Sequence, residues 1–279
     1  MAMLFLVVTS SSAAAQDMHP VAPDVPSYVV FCGDTIRFDT PEKYERMDRE
    51  LMAFTYMQTT TTLMLKRSMR CFAQVVPVLM ANGVPEDFKY LMVIESNLDP
   101  KAVSVTGAAG LWQFTRATAQ DFGLEVNSEV DERYHVTKET DAACHYIKRA
   151  YDRFGDWTTV AASYNCGMGA ISRRIDEQGQ SSFFDLLLPE ETSRYVYRIL
   201  VAKLLFENPM AFGFEVTERY PWIQPRATVT VSESIPSLVN FAGLHGVTYA
   251  ALKRANLWLR SDKLTNKNRK TYVIAIPRD

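Results

Sequence analysis

Between Leu63 and Glu207 apolar residues recur every three or four positions, with only brief breaks, and no stretch alternates convincingly between apolar and polar. That period lays an apolar stripe along one side of a helix, so the region must bury itself helix against helix. The spacing predicts a helix from about Leu63 to an Asn82-Gly83 stop, kinked at Pro77, and another opened by Pro85. Further helices are expected over 115–122, 138–154, 156–165 and 190–207. Gly155 ends the second of these, Asp156 caps the next, and Asn208-Pro209 closes the last. Upstream, Pro41 opens a long helical stretch carrying Tyr44, Met47, Leu51 and Phe54, and the run Thr59 to Thr62 weakens its period. Residues 17–40 are proline-rich and unperiodic, which predicts an extended lead-in.

The pattern changes after about residue 213. Ala227 to Val231 alternates as a strand does, and Thr271 to Pro277 closes the chain in the same way. Two short helical patterns, about 234–244 and 248–256, lie between them. The segment Tyr220-Pro-Trp-Ile-Gln-Pro225 reads as a linker. The expected class is therefore mainly α: a lead-in and first helix (16–67), an all-α domain (68–213) and a small β-α-α-β module (226–279).

One residue breaks the rule that the stripe is apolar. Phe88, Leu91 and Met92 fall at i, i+3 and i+4, and the next position on that face is Glu95. A carboxyl facing a core loses hydration, so its pKa rises and it can hold a proton near neutrality, as a general acid must. The alternative is a buried structural ion pair. No second acidic residue falls in a comparably apolar setting; Asp99 lies in a proline-containing turn.

Charge and cysteine usage narrow the function classes. With 30 basic and 32 acidic residues the chain has no polycationic surface, so nucleic acid is not the expected partner. Residues 1–15 resemble a secretory signal peptide, with an apolar run Met3 to Val8 and a cleavage pattern at Ala13-Ala14-Ala15, although the basic leader is missing. The run is too short to span a bilayer. Cys32, Cys71, Cys144 and Cys166 form no C-x-x-C pair, and the histidines show no ligand spacing, so neither a metal nor another cofactor is expected. In an exported chain four cysteines permit one or two disulfides, and Cys144, on an apolar face, reads equally as a buried thiol.

Three further segments each admit a functional and a structural reading. Gly107-Ala-Ala-Gly-Leu-Trp-Gln-Phe114 places glycines before aromatics and an amide, suited to close approach by a sugar or to a tight turn entering the core. Ala161-Ala-Ser-Tyr-Asn-Cys-Gly167 ends a helix with Tyr164 and Asn165 beside a glycine. Glu191-Thr-Ser-Arg-Tyr195 starts a helix, where Glu191 favours the positive end of the dipole.

In order, Glu95-Ser96, Gly110-Leu-Trp-Gln-Phe114, Ala162-Ser-Tyr-Asn165 and Glu191-Thr-x-x-Tyr195 resemble the motifs of lytic transglycosylases with a goose-lysozyme-like catalytic domain, most of all the membrane-bound transglycosylase D group. The similarity covers about residues 68–207, with Trp112 standing where many relatives have Met and Ser163 where Ala is common. The resemblance implies a lysozyme-like all-α domain in which Glu95 is the single catalytic acid and base. Ser96 would orient it, Gln113 and Asn165 would hold N-acetyl or hydroxyl groups, and Phe114, Tyr164 and Tyr195 would border the cleft, with Tyr195 hydrogen-bonding near Glu95. It further implies peptidoglycan glycan strands as substrate and cleavage of the MurNAc-β-1,4-GlcNAc bond with a 1,6-anhydro product. The expected setting is a monomer in the periplasm, peripherally associated with the cell envelope. Two rival readings share the site: a lysozyme-type hydrolase, and a glycan-binding protein that does not cut.

The C-terminal module resembles a degenerate LysM domain. His245-Gly-Val-Thr, Leu252, Asn256 and Val273-Ile-Ala-Ile-Pro277 fit it, whereas Val231-Ser-Glu-Ser-Ile-Pro-Ser-Leu238 replaces the usual Gly-Asp start. The module is thus either a glycan binder or a remnant that packs against the larger domain.

Overall fold

The computed structural model describes residues 21–278, so the signal-peptide segment 1–15 lies outside the described residues. The lead-in is not simply extended. Tyr28–Phe31 (β1) and Asp34–Arg37 (β2) pair as an antiparallel hairpin around Cys32-Gly33, and Val29, Phe31 and Ile36 point inward as buried side chains. Two four-residue strands are too short to display a period of their own beside the surrounding prolines.

Pro41–Tyr56 (α1) follows, its first turn capped by the Thr40 hydroxyl accepting from the Lys43 N–H at 3.3 Å. Gln58–Ala81 (α2) begins earlier than expected and swallows the threonine run. Thr61 is fully buried, and its hydroxyl donates to the Phe54 carbonyl at 2.7 Å, satisfying both groups where α1 hands over to α2. The helix expected from Pro85 is split into a 3₁₀ turn, Glu86–Phe88, and Lys89–Ser96 (α3).

Arg116–Asp121 (α4), Val136–Phe154 (α5) and Trp157–Cys166 (α6) stand where the period placed them, with the Asp156 carboxylate accepting the Thr159 N–H at 2.7 Å as the cap of α6. Met168–Gln178 (α7) was not foreseen; it buries only Ile171 fully and so carries a weak stripe. Glu190–Glu207 (α8) is the centre of the domain, packing against α1, α3 and α6, while α2 lies on α5. Its buried face runs through Tyr195, Val196, Ile199, Leu200 and Ala202 to Leu205.

The small module has the expected order: Ala227–Val231 (β3), Leu238–Leu244 (α9), Tyr249–Ala255 (α10) and Tyr272–Ile276 (β4). The two strands pair antiparallel from Ala227↔Ile276 to Val231↔Tyr272. The module does not hang from a linker. Ala109, Val130 and Tyr134 of the helical domain are part of its hydrophobic core, together with Leu238, Leu252 and Ile274. Backbone bonds seal the seam, Asp131 N–H to Trp258 O at 2.9 Å and Arg260 N–H to Glu129 O at 2.7 Å, and the Tyr272 hydroxyl donates to Glu125 Oε2 at 2.9 Å. No helix among the described residues is long and apolar enough to cross a membrane.

One buried ion pair fixes α8 on α1. Glu50 is 1% exposed and accepts from Arg194 Nε at 2.6 Å and from its Nη2 at 3.2 Å. Removing the cation strands a dry carboxylate, so Arg194→Ala is expected to destabilise the chain by about 2–3 kcal/mol in a urea melt; the part-exposed Arg194 side chain keeps the effect at the low end.

Candidate active site

Glu95 sits at the end of α3, where the fully buried Phe88, Leu91 and Met92 give way to the exposed Asn97. Its carboxyl is therefore enclosed on the core side and open on the other. The Tyr195 hydroxyl, from α8, donates to Glu95 Oε1. Burial pushes the Glu95 carboxyl up from an ordinary 4.5 to about 7, against the opposing influence of the Tyr195 hydrogen bond and the Arg198 charge; Glu191 adds to the rise. Burial also holds the Tyr195 hydroxyl far above its usual range, so it remains a donor.

Backbone strain gathers here. Of five non-glycine residues with positive φ among the described residues, three are Asn97 (φ 50°), Leu98 (φ 57°) and Gln113 (φ 52°). Strain of this kind persists only where the surroundings over-determine it, and it clusters at functional sites.

The surroundings are the supports of the turn 107–114. Gly110 has φ 83°, and a Cβ there would lie 1.8 Å from the Arg133 carbonyl oxygen and 2.4 Å from Glu139 Oε2, so only glycine fits. Arg133 is clamped to Asp131 by Nε–H at 2.9 Å and Nη2–H at 2.8 Å, and its Nη1 donates to the Gly107 and Phe114 carbonyls at 2.8 and 3.1 Å. From α5, Glu139 Oε2 accepts the Trp112 N–H at 3.2 Å while Trp112 Nε1 donates to Thr140 Oγ1 at 2.9 Å.

Glu139 corrects the expectation that no second acidic residue lies in an apolar setting. It is 0% exposed, burial holds its carboxyl well above the usual range, and its Oε1 has no hydrogen-bond partner. The signal was present in the sequence: Glu139 stands four residues before Ala143 and eight before Ile147, on the buried stripe of α5. It braces the turn through backbone amides, and no hydrogen bond links it to Glu95.

The remaining candidates occupy distinct positions. Gln113 is half-buried, and its amide nitrogen donates to the Gly110 carbonyl at 2.8 Å and the Ala102 carbonyl at 3.2 Å, which leaves Oε1 as its accepting group. Asn165 Oδ1 accepts from Thr192 Oγ1 at 2.8 Å, leaving its amide nitrogen. The Tyr164 hydroxyl turns inward to the Trp112 carbonyl at 2.8 Å, and its ring packs on Tyr146 and Phe114. Phe114 and Trp112 are buried, so they carry the turn from beneath. Ser96 is also buried, and its hydroxyl donates back to the Met92 carbonyl at 3.1 Å, so the hydrogen bond holding Glu95 comes from Tyr195 and not from Ser96. No cluster of three metal-ligating side chains occurs among the described residues, and all four cysteines are unpaired, Cys71 and Cys144 in the core.

Comparison with known proteins places two domains on this chain. Residues 79–186 match the transglycosylase SLT domain, and residues 227–279 match the soluble lytic transglycosylase C-terminal LysM-like domain. The chain is 28% identical over 265 residues to membrane-bound lytic murein transglycosylase D of Escherichia coli, an alignment covering 92% of this chain and 57% of that protein. It is 33% identical over 93 residues to membrane-bound lytic murein transglycosylase F of Maricaulis maris, covering 30% of this chain and 19% of that protein. It is 30% identical over 121 residues to a putative tributyltin chloride resistance protein of an Alteromonas species, covering 43% and 58% of the two chains. The chain thus spans little more than half the length of the first of these relatives. A solved structure of an inactive mutant of lytic transglycosylase Slt from Pseudomonas aeruginosa aligns with a TM-score of 0.42 at 20% identity, over 53% of this chain and 26% of that one.

Two outcomes follow from the geometry. Gly110→Ala is expected to lower stability by about 2 kcal/mol or more in a urea melt, whereas Gly107→Ala, strained at φ 81° but with nothing within 4 Å of its Cβ, should cost about 1 kcal/mol. The Glu95 carboxyl titrates near 7 in the native chain and at 4.5 in an ordinary setting, so between those values the native chain holds a proton that the unfolded chain has released. Native stability then falls as pH rises through that window, and the penalty is complete above it. Glu95→Gln escapes the penalty and should be more stable than wild type by about 2–3 kcal/mol near pH 8, with the difference vanishing near pH 4, as read from chemical melts at each pH.

Proposed function

We propose that this chain is a peptidoglycan lytic transglycosylase that cleaves the MurNAc-β-1,4-GlcNAc bond, with Glu95 as its one catalytic group. The observation that carries the reading is a carboxyl in a dry setting, pushed up to about 7 and held by a tyrosine hydroxyl at the end of a short helix, within a matched SLT domain. Such a group is a proton donor at neutral pH and a usable base once the proton has left.

Ordinary glycosidases divide the work between two carboxylates. Glu139, fully buried, is engaged with the backbone of the turn, and the buried Glu50 is paired with Arg194, which supports a one-carboxylate scheme. In that scheme Glu95 gives its proton to the glycosidic oxygen as the bond to C1 of the muramic residue breaks. The 2-acetamido oxygen of the same sugar shields the developing positive charge. The sugar's own 6-hydroxyl oxygen then attacks C1 and its proton returns to Glu95, so the product is a 1,6-anhydro end and no water is consumed.

Gln113, through Oε1, and Asn165, through its amide nitrogen, would take the polar groups of the sugar, and Tyr195 keeps the carboxyl in position. Phe114, Tyr164 and Ser96 would shape the cleft from below. The setting is the periplasm, at the cell envelope, with the LysM-like module beside the substrate.

Digestion of purified sacculi followed by product mass tests the reading. Wild type should release ends lighter by one water than those made by a hydrolase, and Glu95→Gln should lower the rate by about 10²–10⁴. Reducing ends in the digest would make the enzyme a lysozyme-type hydrolase, and full activity in Glu95→Gln would leave only a glycan-binding protein. Wild-type activity should also fall as pH rises above about 7, where Glu95 loses the proton it must donate.

A further inference from the structure

A cavity of about 740 Å³ lies in the seam between the helical domain and the small module, and Glu95, Gln113, Tyr164, Asn165 and Tyr195 are not among its lining residues. One wall is α2 with the turn Asp99–Lys101, the other is the C-terminal end of α10 with β4, and the segment Trp222–Pro225 borders it. Its floor is apolar, built from the buried Leu111, Tyr134 and Trp258. Its rim is basic. Arg67, Arg70, Lys101, Arg254 and Arg278 line it, and among the described residues the one carboxylate lining it is Asp99, which is already paired with Arg67 at 3.4 Å.

Arg70, Lys101 and Arg254 have no carboxylate partner among the described residues; the Arg70 guanidinium lies over the Tyr220 ring at 5.8 Å. This is a local departure, because the chain as a whole carries a net charge of −2. A concave surface with low-dielectric walls focuses such charge, and guanidinium groups pair with carboxylates in two-pronged geometry. The volume is that of a small-molecule or short-peptide site.

We propose that this cavity binds an acidic peptide, the carboxylate-bearing stems carried by the glycan strands; the source of that peptide rests on the function proposed above. Its place in the fold fits the role. Leu111, on the cavity floor, belongs to the same turn as Gln113, so the cavity backs onto the turn proposed above to hold the sugar. Aromatic and aliphatic side chains at Trp222 and Ile223 remain exposed at its mouth, available to the apolar parts of a peptide.

Isothermal titration calorimetry on the full chain tests this, with free stem peptide released from sacculi as one probe and chitotetraose, which has no stem, as the other. Stem peptide should bind, and the affinity should drop as salt is raised. Lys101→Glu combined with Arg254→Glu, both exposed positions, should weaken the peptide about tenfold or more. Should that variant melt early, Lys101→Gln and Arg254→Gln taken singly should each weaken it to a smaller extent. The proposal is overturned if wild type does not bind the peptide, if the variants bind it as wild type does, or if inorganic phosphate at equal concentration displaces it, which would mark a general anion site. The readout needs no cleavage. A chain that binds the peptide but cuts nothing sinks the catalytic reading alone, and one that cuts sacculi without binding the peptide sinks this one.

Discussion

The hydrogen bond from Tyr195 to Glu95 joins α8, the central helix, to α3, the short helix that ends at Ser96. Two opposed influences meet on that carboxyl: burial raises its affinity for a proton, and the tyrosine hydroxyl lowers it by favouring the charged form. The balance leaves the group titrating near neutrality instead of locking it in one state. Everything that positions α8, including the Glu50–Arg194 pair that ties it to α1, therefore bears on the proton affinity of one side chain.

A second set of supports acts from behind the turn that carries Gln113. Arg133 gathers the Gly107 and Phe114 carbonyls, Glu139 receives the Trp112 amide, and Tyr164 reaches the Trp112 carbonyl. Gly110 closes the arrangement because its missing side chain lets the Arg133 carbonyl and the Glu139 carboxyl approach the backbone. Buried polar groups of this kind specify one conformation when nearly all are satisfied, and the single free oxygen on Glu139 is the exception in this network.

Much of this was legible in the sequence, because each long helix carries its own period and Glu95 visibly interrupts one. The order of helices, the capping at Asp156 and the β-α-α-β module followed from patterns within single segments. What escaped depended on partners remote in sequence. The β1–β2 hairpin is stabilised by burial of alternate side chains too few to show a pattern, and α7 has one fully buried residue. Thr61 looked like a helix weakener until its hydroxyl found the Phe54 carbonyl. The Tyr195–Glu95 hydrogen bond spans 100 positions and was expected only through the family resemblance, not from any pattern within one segment, while the Ser96 hydroxyl, which the same resemblance assigned to Glu95, bonds the Met92 carbonyl.

The seam between the two matched domains has one further consequence. Ala109 is packed inside the small module, and Gly110, next in the chain, is wedged against Arg133. The module is thus an abutment for the turn 107–114 rather than an anchor on a tether. A force applied to the module would reach the strained backbone at Gln113 without passing through any loose joint.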